Sequence, residues 1–420
     1  MARKMKDSGI EWIGKIPEGW EVGQIGQLYS ERRTKVSDKD YPPLSVTMKG
    51  ILPQLSTAAK TDAHDDRKLV CKGDFAINSR SDRRGSCGIS EQDGSISLIN
   101  TVLQPRGEMN PGYYNWLFHT SMFADEFYKW GHGIVDDLWT TGWSDMKKIG
   151  VPVPSKCEQK QLAEHLNFEC SNIDTILSKT RSSIEEYKKL KQAVITQAVT
   201  KGVRGEREMK DSGVAWIGEI PEEWNKCKLK NISIDIGDGL HGTPKFDDSG
   251  EVYFINGNNF SSEYVEPKFD TKKLCLEESL NYPKPELTEQ TIMISLNGSY
   301  GKVCLYRYFP MLLGKSAGYI TLLPSINRRY VRYYLSSTPA QIIMTLSLNG
   351  TTIPNLSLNT LYNFPTILPS ASEQAEIADY LDAKCAEIDG LIAKKEQLVK
   401  ELESYKKSLI YEVVTGKREV

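Results

Sequence analysis

The sequence predicts a mixed α/β protein in which two globular α/β domains are separated by two long, antiparallel coiled-coil helices. Three observations support this fold class: an internal repeat, a long helical pattern at the end of each half, and short apolar runs punctuated by Gly and Pro between them. The length agrees, because 420 residues are too many for one ordinary hydrophobic core.

The repeat opens each half of the chain. Residues 5–20 return as residues 209–224 and match them at 12 of 16 positions, in the pattern Trp-Ile-Gly-x-Ile-Pro-Glu-x-Trp and the residues before it. A second pair of motifs, Pro-Ser-x-x-Glu-Gln followed by Cys-x-x-Ile-Asp, begins at Pro154 and again at Pro369. Each half therefore consists of an opening segment, a body and a helix.

The two long helices follow the second motif. Apolar residues recur there mostly at steps of three and four, which is the spacing of one helix face, and only Gly390 interrupts the second pattern. Each helix should be about 60 Å long at 1.5 Å per residue, and an apolar stripe this narrow needs a partner helix. The predicted interface positions are Leu162, Leu166, Ile173, Leu177, Ile184 and Val194 in the first helix, and Ile377, Leu381, Ile388, Leu402 and Leu409 in the second.

Connectivity predicts that these helices run antiparallel. The first body leads directly into its helix, and the second body begins soon after that helix ends, at residues 202–213. To pack along the first helix, the second must run back toward the first body, which gives a pseudo-two-fold axis. The predicted divisions are a first domain at 1–154, a first helix at 155–203, a second domain at 204–368 and a second helix at 369–420.

The bodies themselves are predicted to be mixed α/β. Residues 94–100 and 252–256 are apolar runs typical of strands. Residues 113–130 and 327–346 are aromatic-rich and indicate helical stretches.

Charge and composition exclude several classes of protein. The net charge of −2 argues against a protein that coats DNA through bulk positive charge, so any contact with nucleic acid must depend on local patches. There is no secretory signal and no apolar run long enough to cross a bilayer, so no membrane is expected as a partner. Eight scattered cysteines without metal or disulfide spacing favour a reducing cytoplasm.

Three fragments imitate catalytic motifs without their context. Residues 237–242 match Gly-x-Gly-x-x-Gly, but a turn-rich segment follows instead of the helix that would hold a pyrophosphate. Gly314-Lys-Ser ends like a P-loop, yet Phe309 replaces the required first glycine. Asn110-Pro-Gly-Tyr resembles the motif that grips a flipped adenine but lacks its second proline, and a turn that opens a helix is the favoured interpretation. The sequence therefore predicts no catalytic residue, no metal site and no cofactor for this chain.

A basic loop is the strongest candidate site in the first body. Between residues 67 and 84 six Lys or Arg oppose two Asp, although the chain as a whole is negative. Arginine grips phosphates and pairs bidentately with guanine in the major groove, whereas the alternative is an ordinary solvated loop. The predicted DNA-binding residues are Lys72, Asn78, Ser79, Arg80, Arg83 and Arg84.

The second body has a comparable, asparagine-rich set. Asparagine reads adenine edges, although Asn-Gly pairs are also common in simple turns. The predicted DNA-binding residues are His241, Thr243, Lys245, Asn258, Asn259, Asn297, Ser299, Tyr300 and Lys302.

The paired openings, the paired junctions into the helices, and the segments 73–88, 238–245 and 254–259 together resemble the specificity (HsdS) subunits of Type I restriction-modification systems. This resemblance implies two target-recognition domains, each reading one half of a bipartite, asymmetric site in double-stranded DNA. It implies helices that set the spacer and dock two modification (methyltransferase) subunits, with restriction subunits in the full complex. S-adenosylmethionine, ATP and Mg are implied only for those partner subunits.

Alternatives remain open at this point. The related specificity chain of a Type II system works with a fused methyltransferase-nuclease, a stand-alone enzyme would show turnover, and a coiled-coil scaffold would not bind DNA sequence-specifically. The repeat also predicts that residues 1 to about 208 form a homodimer that reads a palindrome of the first half-site.

Overall fold

The structure is a computed structural model that describes residues 3–54, 65–80, 83–107, 109–134, 139–348 and 354–420. It divides into two compact units, Met1–Arg181 with Gln397–Val420, and Ser182–Glu396. The mixed α/β class and the two long helices that were predicted are confirmed. Each unit contains one end of each long helix, because the unit borders fall inside both.

Unit 1 contains a set of short strands, four short helices and part of each long helix within the described residues. Its strands are β1 (Met5–Asp7), β2 (Lys15–Pro17), β3 (Glu21–Gln24), β4 (Tyr29–Glu31), β5 (Lys35–Val36), β6 (Leu44–Thr47), β7 (Gly50–Pro53), β8 (Arg67–Val70), β9 (Phe75–Asn78), β10 (Cys87–Ile89), β11 (Gly94–Ile96), β12 (Asn100–Pro105) and β13 (Gly150–Val153). Its helices are α1 (Ile25–Leu28), α2 (Pro111–Phe118), α3 (Ser121–Lys129), α4 (Trp143–Met146) and the first part of α5 (Lys156–Lys201).

Unit 2 repeats much of this order. Its strands are β14 (Met209–Asp211), β15 (Glu219–Pro221), β16 (Asn225–Lys228), β17 (Ser233–Asp238), β18 (Val252–Ile255), β19 (Lys273–Leu274), β20 (Thr291–Ser295), β21 (Val303–Leu305), β22 (Met311–Leu313), β23 (Ala317–Leu322) and β24 (Pro365–Leu368). Its helices are α6 (Leu276–Leu280), α7 (Arg328–Ser336), α8 (Thr338–Leu346), α9 (Leu358–Tyr362) and the first part of α10 (Ala371–Val414), with single 3-10 turns at Leu229–Asn231 and Gly257–Asn259.

Both units contain the same four-stranded antiparallel sheet. The strand order is β10-β9-β12-β4 in unit 1 and β21-β20-β23-β17 in unit 2, so each strand has a counterpart in the other unit. The opening hairpins β1-β2 and β14-β15 also correspond, as do the pairs β3-β13 and β16-β24. The repeat in the sequence therefore marks a repeated scaffold.

A second sheet differs between the units. In unit 1 it is β11-β8-β5, antiparallel throughout, beside the hairpin β6-β7. In unit 2 it is β19-β18-β22, in which β18 and β22 are parallel. The two bodies thus share one sheet and not the other.

Two helical stretches of the sequence are each two helices, which corrects the prediction. The stretch 113–130 breaks after α2, where the Thr120 side chain caps α3 by accepting from the Phe123 amide at 3.2 Å. The stretch 327–346 breaks at Ser337, and Pro339 stands in the first turn of α8, a position that does not need its missing N–H. Residues 94–100 likewise contain the whole of one strand, β11, and the first residue of another, β12.

The repeated Trp and Glu-Gln motifs hold each body to its long helix. In unit 2 the Trp224 indole N–H donates to Glu373 at 2.9 Å, and the Arg207 guanidinium lies 2.7 Å from the same carboxylate. Trp20, Glu158 and Arg3 form the same cluster in unit 1, with an indole-to-carboxylate distance of 3.2 Å.

The glutamine beside each glutamate completes the junction. The side-chain oxygen of Gln159 accepts from the Asn110 amide at 2.9 Å, and its N–H group donates to the Pro154 carbonyl. Gln374 does the same with Asn327 and Pro369. Asn110 and Asn327 cap α2 and α7, so Asn110-Pro-Gly-Tyr opens a helix as the sequence favoured.

In unit 1 the long helices pack antiparallel. Asp174 of α5 pairs with Lys406 of α10 at 2.6 Å, and Arg181, further along α5, pairs with Glu403, which lies earlier in α10. The predicted positions Leu162, Leu166, Ile173, Leu177 and Leu409 are buried in one hydrophobic core with the body, and Leu402 packs against it half-buried.

Unit 2 shows the same arrangement at the other helix ends. Lys191 of α5 pairs with Asp389 of α10 at 2.6 Å, and Arg204, just beyond the end of α5, pairs with Glu376 near the start of α10. Ile377, Leu381 and Ile388 are buried and Val194 packs against their core half-buried, while Ile184 is 7% exposed. Gly202 and Gly416 follow the two helices with φ of 79° and 69°, the left-handed conformation in which glycine ends a helix.

Candidate nucleic-acid interface

One edge of the shared sheet gathers the predicted residues in each unit. In unit 1 the end of β9 meets the start of β12, because Asn78 is opposite Asn100 in the register. In unit 2 the ends of β17 and β20 both meet the start of β23, with Asp238 opposite Gly318 and Ser295 opposite Ala317. Loops that leave these strands therefore emerge at one edge.

In unit 1 the loop after β9 carries the arginines. Asn78 is buried, and its side-chain oxygen accepts from the Arg80 amide at 3.0 Å, so it shapes the turn. Ser79 is half-buried and shares a hydrogen bond with Thr101 at 2.9 Å. Arg80 and Arg83 are exposed, and residues 81 and 82 between them lie outside the described residues.

Arg84 is held in place by its neighbours. Its guanidinium carbon lies 3.7 Å from the centroid of the Tyr128 ring, and one of its nitrogens lies 3.3 Å from Asp125. Tyr128 in turn stacks obliquely on Trp139, with ring centroids 5.5 Å apart. Because stacking and pairing restrict its rotamers, Arg84 presents a more ordered cation than a free surface arginine.

The other basic residues of residues 67–84 do not join this cluster. Arg67 is buried and donates to the Ser95 side chain at 2.9 Å, and Lys68 donates to the Asn100 carbonyl at 2.7 Å. Burial lowers the pKa of both side chains. Lys72 is exposed, but it lies before β9, at the opposite end of the strand from Arg80. The exposed arginines that follow β9 among the described residues are therefore Arg80, Arg83 and Arg84.

In unit 2 three loops converge on residues 313–316. The Leu240 amide donates to the Leu313 carbonyl at 2.7 Å, the Gly257 amide donates to the Ser316 hydroxyl at 3.0 Å, and the Asn297 side chain donates to the Lys315 carbonyl at 3.5 Å. The segment that ends like a P-loop thus joins the loops that carry the predicted residues. The approach is close, since a Cβ on Gly239 would stand 2.3 Å from the Leu313 carbonyl.

Residues of the first of these loops are exposed. The His241 ring lies 2.7 Å from the Asp238 carboxylate, and Thr243 is open to solvent. Lys245 is exposed too, although its backbone amide donates to Glu278 at 3.0 Å.

The two asparagines of the second loop differ. Asn258 is exposed, whereas Asn259 is 5% exposed and donates to the Thr271 hydroxyl at 2.8 Å. The Asn259 side chain is therefore engaged in holding its own loop.

The third loop, between β20 and β21, contains the remaining predicted residues. Ser299 and Lys302 are exposed, and Asn297 is half-buried. Tyr300 is half-buried, with its hydroxyl 3.4 Å from that of Thr345. The Ser295 side chain closes the loop by accepting from the Lys302 amide and donating to the Ser299 carbonyl.

Arg80 and Asn297 occupy equivalent positions. Each is the second residue after its strand, and each forms an antiparallel bridge with a later segment, to Thr140 and Asn355 respectively. The neighbouring hydrogen bonds also correspond: Thr141 donates to Ser79 at 2.9 Å, and Leu356 donates to Leu296 at 2.8 Å. The same scaffold position thus carries a cation in one unit and an amide in the other.

Several residues at these edges were missed from sequence. Lys315 is exposed among the three loops of unit 2, and its Gly-Lys-Ser context was the available signal. In unit 1 Tyr128, His132 and Trp139 lie beside the arginines or on the segment bridged to Arg80. Only the fold brings these residues to the loop, since they follow it by more than forty positions in the chain.

Among the residues that the structure describes, no group of three or more His, Cys, Asp or Glu is placed to hold a metal ion. No helix in the described ranges is both long and apolar enough to cross a membrane.

The sequence is similar to specificity proteins of one kind. A family model described as Type I restriction modification DNA specificity domain matches residues 221–401. The Type I restriction enzyme MjaVIII specificity subunit of Methanocaldococcus jannaschii is 26% identical, over 96% of this chain and 94% of its own. A second protein of that organism, the putative MjaX specificity subunit, is 25% identical over 96% and 95%.

Solved structures share the fold. One is a chain from a structure that concerns complex assembly and conformational transition of the type I R-M system. It has a TM-score of 0.76 at 13% identity, and the match covers 96% of this chain and 99% of that chain. The HsdS subunit from Thermoanaerobacter tengcongensis has a TM-score of 0.55 at 16% identity, covering 96% and 98%. These relatives do not favour the Type II alternative, and over nearly its whole length the chain is similar to Type I restriction enzyme specificity subunits.

Proposed function

We propose that this chain is the DNA reader of a Type I restriction-modification complex, in which each body recognises one half of a bipartite, asymmetric site. The first target-recognition domain is residues 1–154 and the second is 204–368. The observation that carries this proposal is the equivalence of Arg80 and Asn297, because one scaffold position presents two different base-reading groups.

The side chains at each edge suit different bases. Arg80, Arg83 and Arg84 suit guanine and phosphate, whereas Asn258 and Asn297, with His241, Thr243 and Lys302 around them, suit adenine and mixed contacts. The second edge is extended by Lys245, Ser299, Tyr300 and Lys315. At the margin of the first edge, Lys72 suits a phosphate. Since Asn78, Ser79 and Asn259 are engaged within their loops, their role is to position these groups.

The long helices dock two modification subunits. Aligning the two Cys-x-x-Ile-Asp motifs makes Ile176 equivalent to Leu391 and Leu190 equivalent to Tyr405. All four are exposed, between 36% and 49%, so each unit has an apolar residue from each helix open to a partner. Two equivalent apolar surfaces fit two copies of one partner.

The chain contributes no chemistry of its own. Adenine methylation with S-adenosylmethionine belongs to the modification subunits, and ATP with Mg belongs to the restriction subunits, which join the same cytoplasmic complex. The purified chain alone should transfer no methyl group to DNA, and activity should need the modification subunits.

Methylation mapping tests the half-site assignment. Cells carrying the chain and its partner subunits should methylate a bipartite site, and Arg80→Ala should relax one half while Asn297→Ala relaxes the other. Because the two positions are equivalent, each variant is the matched control for the other. Equal degradation of both half-sites by each change would refute the assignment.

A further inference from the structure

The ion pairs between the long helices fall into two kinds when their repeat equivalents are compared. Aligning Cys170 with Cys385 makes Asp174 equivalent to Asp389, and Lys191 equivalent to Lys406. These four residues form two pairs of identical composition, Asp174 with Lys406 in unit 1 and Lys191 with Asp389 in unit 2, both at 2.6 Å.

In the second kind, repeat-equivalent positions carry opposite charges, so the cation lies on α5 and the anion on α10 in both units. Arg181 of α5 pairs with Glu403 of α10 in unit 1. Their repeat equivalents are Glu396 and Lys188, so in unit 2 the cation is again on α5 and the anion on α10. Lys188 donates to Glu185 of its own helix at 2.8 Å, and the charge of Glu396, after that of Glu185, adds to the rise of the Lys188 pKa.

The two kinds respond differently if a helix pairs with a copy of itself. In a dimer of two first helices, Asp174 still faces Lys191 of the second copy, so the first kind attracts in every combination. Arg181, however, faces Lys188 of the second copy, twice. In a dimer of two second helices Glu403 faces Glu396, also twice.

We propose that the Arg181–Glu403 ion pair, together with the repeat-equivalent charges of Lys188 and Glu396, acts as a charge code that makes each half of this chain prefer the other half over a second copy of itself. The Asp–Lys pairs attract in mixed pairs and in self-pairs alike, so they do not favour one pairing over the other. Charged residues flanking a coiled-coil seam set partner choice in this way, through repulsion in the wrong pairing as well as attraction in the right one. The homodimer expected from the repeat for residues 1 to about 208 is therefore disfavoured relative to the paired halves.

A nicked form of the full chain tests the code. A protease site inserted after Gly205, where the backbone is exposed and no atom stands within 4 Å of an added Cβ, allows the folded protein to be cut between the halves. Isotope-labelled and unlabelled nicked protein are mixed, passed through urea at the unfolding midpoint and returned to buffer. Native mass spectrometry then counts mixed pairs and self-pairs, and label exchange shows that equilibrium was reached.

The parent should form mixed pairs at least about tenfold above the random ratio, since four pairwise charge contacts change sign between the two outcomes. Arg181→Glu with Glu403→Lys keeps the attraction in mixed pairs but also makes self-pairs attractive, so the ratio should fall toward random. Asp174→Lys with Lys406→Asp is the matched control, because that exchange makes self-pairs repulsive and should raise the ratio above the parent.

Salt separates charge from packing in the same assay. Raising the ionic strength should lower the excess of mixed pairs in the parent and in the control, because each of these ion pairs has at least one side chain that is more than half exposed. A random ratio in the parent, or one ratio shared by all three proteins, would overturn the proposal.

A measurement on the uncut chain does not depend on exchange of halves. Glu403→Lys alone should lower the urea midpoint by placing a lysine against Arg181, and adding Arg181→Glu should restore it. An unchanged urea midpoint in the single variant would mean that the Arg181–Glu403 pair does not stabilise the fold, and it would refute the charge code.

Discussion

The two units build the same scaffold and present different surfaces on it. The four-stranded sheet, the opening hairpin and the Trp-Glu-Arg junction occur in both. The second sheet and the loops at the sheet edge do not correspond in strand direction or in chemistry. The comparison teaches that the motifs which repeat in this sequence are structural, whereas recognition is expected where the repeat fails.

The largest expected effect concerns the junction, whose two copies differ in burial. The Glu373 side chain is 1% exposed beside Arg207 at 13%, whereas Glu158 and Arg3 are each 31% exposed. Glu373→Ala removes the buried carboxylate that Arg207 and the Trp224 indole N–H share, and leaves Arg207 only its partly exposed partner Glu223, so it should lower the free energy of unfolding by about 3 kcal/mol. Glu158→Ala should cost about 1 kcal/mol, because water can replace its contacts. Urea unfolding of both variants measures the difference, and equal losses would show that burial does not distinguish the junctions.

The next effect concerns the reading edges. Arg80→Ala should cost about 2 kcal/mol of discrimination at one half-site and nothing at the other, and Asn297→Ala should do the reverse, as expected for lost base contacts. Competition binding of the assembled complex to DNA changed in one half-site at a time gives both numbers. The control is Arg67→Lys, which changes a buried arginine of the same segment. The folded fraction of this variant should have unaltered specificity.

The docking surfaces on the helices should give a smaller effect. A charge in an apolar contact costs about 1 to 2 kcal/mol when the site remains partly hydrated. Ile176→Glu should therefore weaken one modification subunit and Leu391→Glu the other, giving complexes that retain a single copy. Sedimentation of the assembled variants measures the stoichiometry. Loss of both copies from one substitution, or of neither, would contradict two equivalent surfaces.

The smallest effect is expected at Lys72, which is separated from the arginines by the length of β9. Lys72→Ala should weaken binding to all DNA sequences alike and reduce the salt dependence of binding by about one counterion. Titrations at several salt concentrations measure this slope. A change in sequence preference instead would place Lys72 among the base-reading residues.

Much of the scaffold could be predicted from the sequence because it depends on local patterns. The apolar spacing that begins near Leu162 and Ile377 identified both long helices, and the structure has them at Lys156–Lys201 and Ala371–Val414. The wrong prediction of one continuous helix over 113–130 also had a local cause. Thr120 caps a second helix there, and this break does not interrupt the apolar pattern. Patterns of that kind identify helical residues better than helix ends.

The residues of the candidate site were harder to predict from the sequence than the scaffold. Arg67 and Arg80 are the same residue type, thirteen positions apart, yet one is buried against Ser95 and the other is exposed. Asn258 and Asn259 are adjacent, and only Asn258 is exposed. Composition cannot separate such residues, because burial depends on strands that pair over long distances in the chain.

The sequence by itself determined that the protein has two similar halves, two long antiparallel helices and no recognisable catalytic motif, since repeats, helix periodicity and motifs are properties of neighbouring residues. Only the tertiary structure decided that Arg80 and Asn297 share one position, that Lys315 and Trp139 join the candidate interface, and which helix charges face one another. The physical reason is that strand register and helix register are set by contacts between residues far apart in the chain, and those contacts select which side chains reach solvent together.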